Sequence, residues 1–315
     1  MSPVFERVAV VGLGLLGGSV ALAAKRRGVA ARVIGSTRRE DARERALREG
    51  AVDEIAALED VARGADLVVL ATPLYAMADV LRRLAPGLAE GAIVTDVGSV
   101  KSPLGETLPG LLPPGVVYVG SHPMAGSHER GMDYARDDLF ERASCIVTRT
   151  ENSDAVERVC AFWRGLGAVV VPRDAAVHDL EVAWVSHVPH VLAFAFARAL
   201  TGAPDGAREV AAAGFRDFTR IAHGDAELWG DILAANGKVL AAPLQATGAA
   251  LAELTRAIEA GEVETLERLL VSGREALSRM SAIRPEDSEA CTGAETSSSS
   301  HRGDNEIGER NTNHE

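Results

Sequence analysis

Apolar runs of strand length alternate with amphipathic stretches through the first half of this chain. The runs cover Arg7–Gly12, Ala31–Gly35, Leu67–Ala71, Ile93–Asp96, Val116–Gly120, Ser144–Thr148 and Ala168–Val171. Between them, Leu15–Arg27, Arg39–Glu49, Tyr75–Ala85 and Ser153–Gly165 repeat apolar residues at the spacing of a helix with one buried face. Strand, helix, strand with short connections predicts an α/β domain over residues 1–173, built on a Rossmann-like, doubly wound and largely parallel sheet.

The pattern changes after Pro172. From Asp174 to Ile283, alanine, leucine and charged residues recur at helical spacing with almost no β-rich run, so residues 174–284 read as an all-helical domain. Its first helix is predicted from about Val177 to Leu200 and is free of polar residues from Val191 to Ala197. A helix that is apolar all round has to be covered on every side. One small helical domain offers too little cover, which predicts a homodimer built on this region. Residues 285–315 are rich in Ser, Glu, Asn, Gly and Thr, bury too little to fold, and read as a disordered acidic tail.

Bulk chemistry narrows the class. A net charge of −12 argues against nucleic acid as a partner, because binding a phosphate backbone takes a basic face. Cys145, Cys160 and Cys291 are odd in number and widely spaced, which suggests neither a disulfide framework nor a metal site. No basic-then-apolar leader precedes the first strand and no apolar run reaches membrane-spanning length. A cytoplasmic protein with no membrane partner is therefore expected.

Two loops carry candidate chemistry. Gly12-Leu13-Gly14-Leu15-Leu16-Gly17 falls directly between a strand and a helix. There Gly12 permits a tight turn, Gly14 lets the backbone approach a pyrophosphate, and Gly17 lets helix and strand pack closely. Amides at the helix start, those of Leu15 and Leu16 included, then face the phosphates. The next strand ends Ser36-Thr37-Arg38-Arg39, with no acid until Glu40 to take ribose hydroxyls. Hydroxyls followed by arginines suit a 2′-phosphate, so the reading leans to NADP over NAD; alternatively Arg38 and Arg39 only solvate a helix start. The second loop, Gly120-Ser121-His122-Pro123-Met124-Ala125-Gly126-Ser127, sets one histidine between glycines, just after an apolar run. At the carboxyl end of a parallel strand it is a candidate acid/base or a structural hydrogen-bonder.

These segments, with Ala71-Thr72-Pro73, Thr95-Asp96-Val97-Gly98-Ser99-Val100-Lys101, Ser186-His187-Val188-Pro189-His190 and Phe215-Arg216-Asp217-Phe218-Thr219-Arg220, resemble the prephenate dehydrogenase family, arogenate-using relatives included. The match is colinear from about Arg7 to Arg279. The resemblance implies oxidation of the ring hydroxyl carbon of prephenate by hydride transfer to NAD(P). Loss of carbon dioxide and aromatisation follow, giving 4-hydroxyphenylpyruvate on the route to tyrosine.

It also implies roles. His122 matches the catalytic histidine and would accept the hydroxyl proton, and Ser99 matches a serine beside the nicotinamide and the reacting hydroxyl. As residue type alone, Ser99 could equally cap the helix that follows. Arg220 matches the arginine that grips the side-chain carboxylate, and guanidinium suits that task because it forks two hydrogen bonds and stays charged. His190 matches a substrate-binding histidine, with Ser127 and Arg216 nearby in the family pattern. Thr72 and Pro73 match the cofactor side. His187 reads as a core histidine, Asp179 as a group that orients a neighbour, and Trp229 as lining the pocket or, more plainly, as core packing.

One departure falls in the histidine loop. The family often carries Thr-Glu or Ser-Glu after Ala-Gly, where this chain has Ser127-His128-Glu129. The choice among prephenate, arogenate and a substituted prephenate such as the 4-amino analogue stays open at this point. With no fused regulatory segment read in the chain, any tyrosine feedback is expected to act at the active site. A dinucleotide-sensing protein on the same fold would be expected to lack the base or the carboxylate grip, and both are present.

Overall fold

The computed structural model describes residues 2–126 and 129–281; the tail expected after residue 285 lies outside them. Every apolar run of the first half becomes a strand. β1 (Phe5–Val11), β2 (Ala30–Ser36), β3 (Glu54–Ile55), β4 (Leu67–Leu70), β5 (Ile93–Asp96) and β6 (Val117–Tyr118) form one sheet in the order β3-β2-β1-β4-β5-β6. All its pairings are parallel. Strand order reverses between β1 and β4, which opens a crevice at their carboxyl ends. The helices α1 (Leu15–Arg26), α2 (Glu40–Arg48), α3 (Met77–Leu84) and α4 (Ser102–Thr107) follow their strands as crossovers.

Both faces of this sheet are covered. In β1, Val8 and Val10 enter one core with Phe5, Phe162 and Trp163, while Ala9 and Val11 enter another with Leu70, Met77 and Leu81. Two buried faces explain why the strands read as continuous apolar runs.

The sequence-based reading of Ser121–Pro123 as a loop is corrected. These residues form β7, paired antiparallel with β8 (Ser144–Thr148), which pairs parallel with β9 (Val169–Arg173) in a second, three-stranded sheet. Proline is tolerated because β7 is an edge strand with one neighbour. α5 (Ser153–Gly165) packs against this sheet and is capped by Asn152, whose side-chain oxygen accepts the Ala155 amide at 2.9 Å.

From Ala175 the chain is helical. α6 (Ala175–Val182) passes through a π-helical turn, Ala183–His187, into α7 (Val188–Ala199), and α8 (Ala213–Thr219), α9 (Ala226–Ala235), α10 (Gly237–Ala260) and α11 (Val263–Ser281) follow. Residues Ala175–Gly202 thus make one helix of 28 residues, long and apolar enough by length and composition to cross a membrane. This corrects the expectation that no run reaches that length. The π turn ends two residues before Pro189, which cannot donate an i→i−4 bond, and the helix runs on through it, as the predicted span Val177–Leu200 has it. The helix nonetheless buries His178, Asp179 and His187 within the protein.

The helical region's own core is small, Ala183, Val188 and Leu240. Trp184, Val185 and Phe196 stay exposed on the long helix, as do Leu270 and Leu277 on α11.

Candidate active site

The glycine loop meets the loop after β4 at the crevice. Gly12 has φ +98°, and a Cβ there would strike the Ala71 carbonyl. A Cβ on Gly17 would strike the Gly12 carbonyl, so both positions require glycine for packing. Gly14 differs, because a Cβ there would have no neighbour within 4 Å. Behind that open space α1 begins without a side-chain cap, leaving the first-turn amides, including those of Leu15 and Leu16, without a side-chain partner among the described residues. Thr72 Oγ1, one residue past Ala71 and just before Pro73, is buried with no hydrogen-bond partner. Uncapped amides, a cleared approach and an orphaned hydroxyl together fit a pyrophosphate-bearing cofactor.

At the end of β2, Ser36 is buried and Thr37 half-buried. The Arg39 guanidinium is taken by Asp41, and that pairing raises the pKa of Arg39. Arg38 is exposed and, among the described residues, makes no ion pair.

His122 sits at the centre of β7 and is 8% exposed. Its Nδ1 lies 2.9 Å from Nε2 of His178, whose Nδ1 lies 2.8 Å from Oδ1 of Asp179. An ionised carboxylate can only accept, so for two neutral rings this order fixes both tautomers. His178 donates from Nδ1 to Asp179 and accepts at Nε2. His122 therefore donates from Nδ1 and keeps an unprotonated Nε2. Burial pushes the His122 pKa well below 6.5, with further opposition from His178, Lys101 and His187, so the ring is neutral at neutral pH and free to take a proton. Burial works to raise the Asp179 pKa, but hydrogen bonds from His178 and from Lys101 and Ser102 outweigh it and hold the group ionised. Neither His178 nor this relay was picked out in the sequence, where Asp179 stood only as an orienting group.

Asp179 also replaces the expected cap of α4. The amides of Lys101 and Ser102 donate to its two oxygens at 2.7 and 2.8 Å, and no side chain within α4's own segment serves them. Ser99 is thus not the helix cap; it is half-buried in the loop leaving β5. Behind β7, Lys101 is fully buried and pairs with Asp96 while donating from Nζ to the Ser121 carbonyl at 2.8 Å. Asp96 also accepts the Tyr118 hydroxyl at 2.9 Å and the Ser121 amide at 3.1 Å. This network holds the backbone on which His122 rides.

A second group of side chains comes from the helical region. His190 stacks on Trp229 with ring centroids 3.6 Å apart, and its Nδ1 bonds the Ser186 carbonyl at 2.8 Å. Burial lowers the His190 pKa, and the nearby Arg220 charge lowers it further; Arg220 opens the short turn Arg220–His223, which packs on α7. Trp229 is half-buried in this arrangement. His187 is buried and accepts from Asn236 at 3.1 Å, and burial brings its pKa down to about 4. Arg216 is turned instead to the Ala211 carbonyl at 3.0 Å, near the start of its own helix. Ser127 and His128 lie outside the described residues.

Residues 20–172 match the family model for the nucleotide-binding domain of prephenate dehydrogenase, and residues 174–272 match that for its dimerization domain. The chain belongs to the prephenate dehydrogenase family. It is 32% identical to the prephenate dehydrogenase of Lactococcus lactis subsp. cremoris over 277 residues, 85% of this chain and 76% of that one. Among solved structures, the A. aeolicus prephenate dehydrogenase in complex with hydroxyphenyl propionate and NAD+ is 30% identical. It superposes with a TM-score of 0.79 over 88% of this chain and 98% of its own. The Synechocystis arogenate dehydrogenase is 32% identical, with a TM-score of 0.74 over 87% and 99%. Membership makes the chain an NAD(P)-dependent oxidoreductase.

Proposed function

We propose that the chain oxidises prephenate with NADP, yielding 4-hydroxyphenylpyruvate, carbon dioxide and the reduced cofactor, with His122 as the base. The observation that carries the assignment is the His122–His178–Asp179 order, which leaves a lone pair on His122 Nε2. The nicotinamide supplies the hydride acceptor for the ring carbinol carbon. As that C–H bond breaks, the hydroxyl proton passes to His122 Nε2 and a carbonyl develops, to which Ser99 offers a hydrogen bond. Loss of the ring carboxylate as carbon dioxide leaves its bonding electrons in the ring, which becomes aromatic. The phenolate oxygen then recovers the proton from His122. Asp179, reached through His178, opposes the positive charge that His122 carries in between.

The substrate's two carboxylates need fixed cations and a shaped wall. Arg220 is assigned to the side-chain carboxylate, with His190 and Trp229 forming the wall against the ring. On the cofactor, Arg38 with the hydroxyls of Ser36 and Thr37 is assigned to the 2′-phosphate. Exposed Trp184, Val185 and Phe196 support a homodimer through the helical region, and the buried thiol of Cys145 suits a cytoplasmic location.

The deciding experiment is a matrix assay of prephenate and arogenate against NAD and NADP, followed by reduced-nicotinamide absorbance. Prephenate with NADP should give the highest kcat/KM; a preference for arogenate or NAD would overturn that part of the assignment. His122→Asn should abolish most turnover and spare substrate affinity, and unchanged turnover would discard the base.

A further inference from the structure

α9 reaches each part of the site. Its cap, Asp225, accepts the Leu228 amide at 2.7 Å and also pairs with Arg130, from the segment that follows β7. One turn on, Trp229 stacks against His190. Asp231 stands two residues further, about 200° around the helix, so it faces away from that stack. Its Oδ2 accepts the Tyr75 amide at 3.2 Å. At the far end, Asn236 donates to the Asp179 carbonyl at 2.9 Å.

Tyr75 belongs to the short turn Leu74–Ala76, directly after Ala71-Thr72-Pro73. That segment carries the unpartnered Thr72 hydroxyl and the carbonyl that closes on Gly12. Beside the Tyr75–Asp231 bond lies a crevice of about 210 Å³ lined by Leu74, Pro103, Leu108 and Ala235 among others. The turn therefore has room to shift against α9, and the Asp231 carboxylate ties the two together. A ligand that settles Thr72 acts on Tyr75, and through Asp231 on the helix that presses Trp229 to His190.

We infer that Asp231 is a positioning residue through which cofactor binding tightens the substrate wall, so that cofactor and substrate bind cooperatively. This rests on the substrate and cofactor assignment above. The coupling has to be reciprocal, since linkage between two binding free energies is symmetric.

The test titrates hydroxyphenyl propionate, a ring acid that cannot be oxidised at a carbinol, into the full chain by calorimetry, with and without saturating NADP. Saturating cofactor should lower the ring acid's Kd about five-fold or more in the unaltered protein, the low end of ordinary site-to-site coupling. Asp231→Ala should keep the cofactor-free Kd and lose the enhancement. Asp231→Asn should retain it, because its amide oxygen still accepts the Tyr75 amide. Damage to the fold would weaken the cofactor-free Kd of Asp231→Ala and would not be reversed selectively by asparagine. Full enhancement in Asp231→Ala, or binding in the unaltered protein that ignores cofactor, overturns the inference alone. Failure of the unaltered protein to bind the ring acid at all removes the substrate assignment and the inference with it.

Discussion

Replacing Asp179 with asparagine isolates the charge at the end of the relay. Asparagine can keep its oxygen toward His178 and Lys101 and turn its amide group to Ser102, which loses one helix-start bond and preserves both tautomers. What disappears is the negative charge. The hydrogen bonds of 2.9 and 2.8 Å, with an imidazole ring between them, set the carboxylate roughly 8 Å from the base, where a unit charge at an effective dielectric of about 20 is worth roughly 2 kcal/mol. A full charge on His122 in the transition state would then cost about thirty-fold in kcat. Neutral His122 is the active form, so activity falls as pH drops through its pKa. Removing the carboxylate moves that pKa further down. Steady-state rates at saturating substrate across the pH range should show a plateau about thirty-fold lower and an acid limb displaced to lower pH. A lower plateau with an unmoved limb would mean mere damage at α4, and an unchanged plateau would refute the relay.

Three further outcomes follow from the same geometry. Arg220→Gln should raise KM for substrate roughly ten- to a hundred-fold, the usual worth of a hydrogen bond to a charged group, and change kcat less; a loss confined to kcat would remove Arg220 as the anchor. Arg38→Gln should raise the NADP dissociation constant by a similar factor of about ten or more and leave NAD binding unaltered, with equal effects on both cofactors counting against a phosphate contact. His187 stays neutral down to about pH 4, whereas its ordinary value is 6.5. The unfolded chain thus binds a proton first, and stability should decline on the order of 3 kcal/mol as pH falls from 6.5 to 4. Melting temperature against pH should flatten in His187→Gln, and the same slope in both proteins would exclude His187 as its source.

The doubly wound domain was legible because two-sided burial writes strands as plain apolar runs, as in Val8–Val11 and Leu67–Leu70. Glu54–Ile55 was not, since two residues on an edge carry no period. Ser121–Pro123 misled for a definite reason: proline and glycine mark loops, yet an edge strand accepts both. In the site, glycine spacing and the His122 loop were readable as local motifs. His178 was hidden because one histidine on an amphipathic helix looks like any other, and only its neighbour Asp179 hinted at a role. Trp229 and the capping of α4 by Asp179 depend on contacts between residues 39 to 78 positions apart, which no local pattern encodes.

The relay is divided between the two halves of the molecule: His122 rides on a strand of the sheet region, while His178 and Asp179 belong to the first helix beyond it. An imidazole parted from its acceptor has no fixed tautomer and exchanges its proton with water. The contact between the halves accordingly supplies direction rather than base strength: burial weakens His122 as a base, while His178 decides which ring nitrogen carries the lone pair.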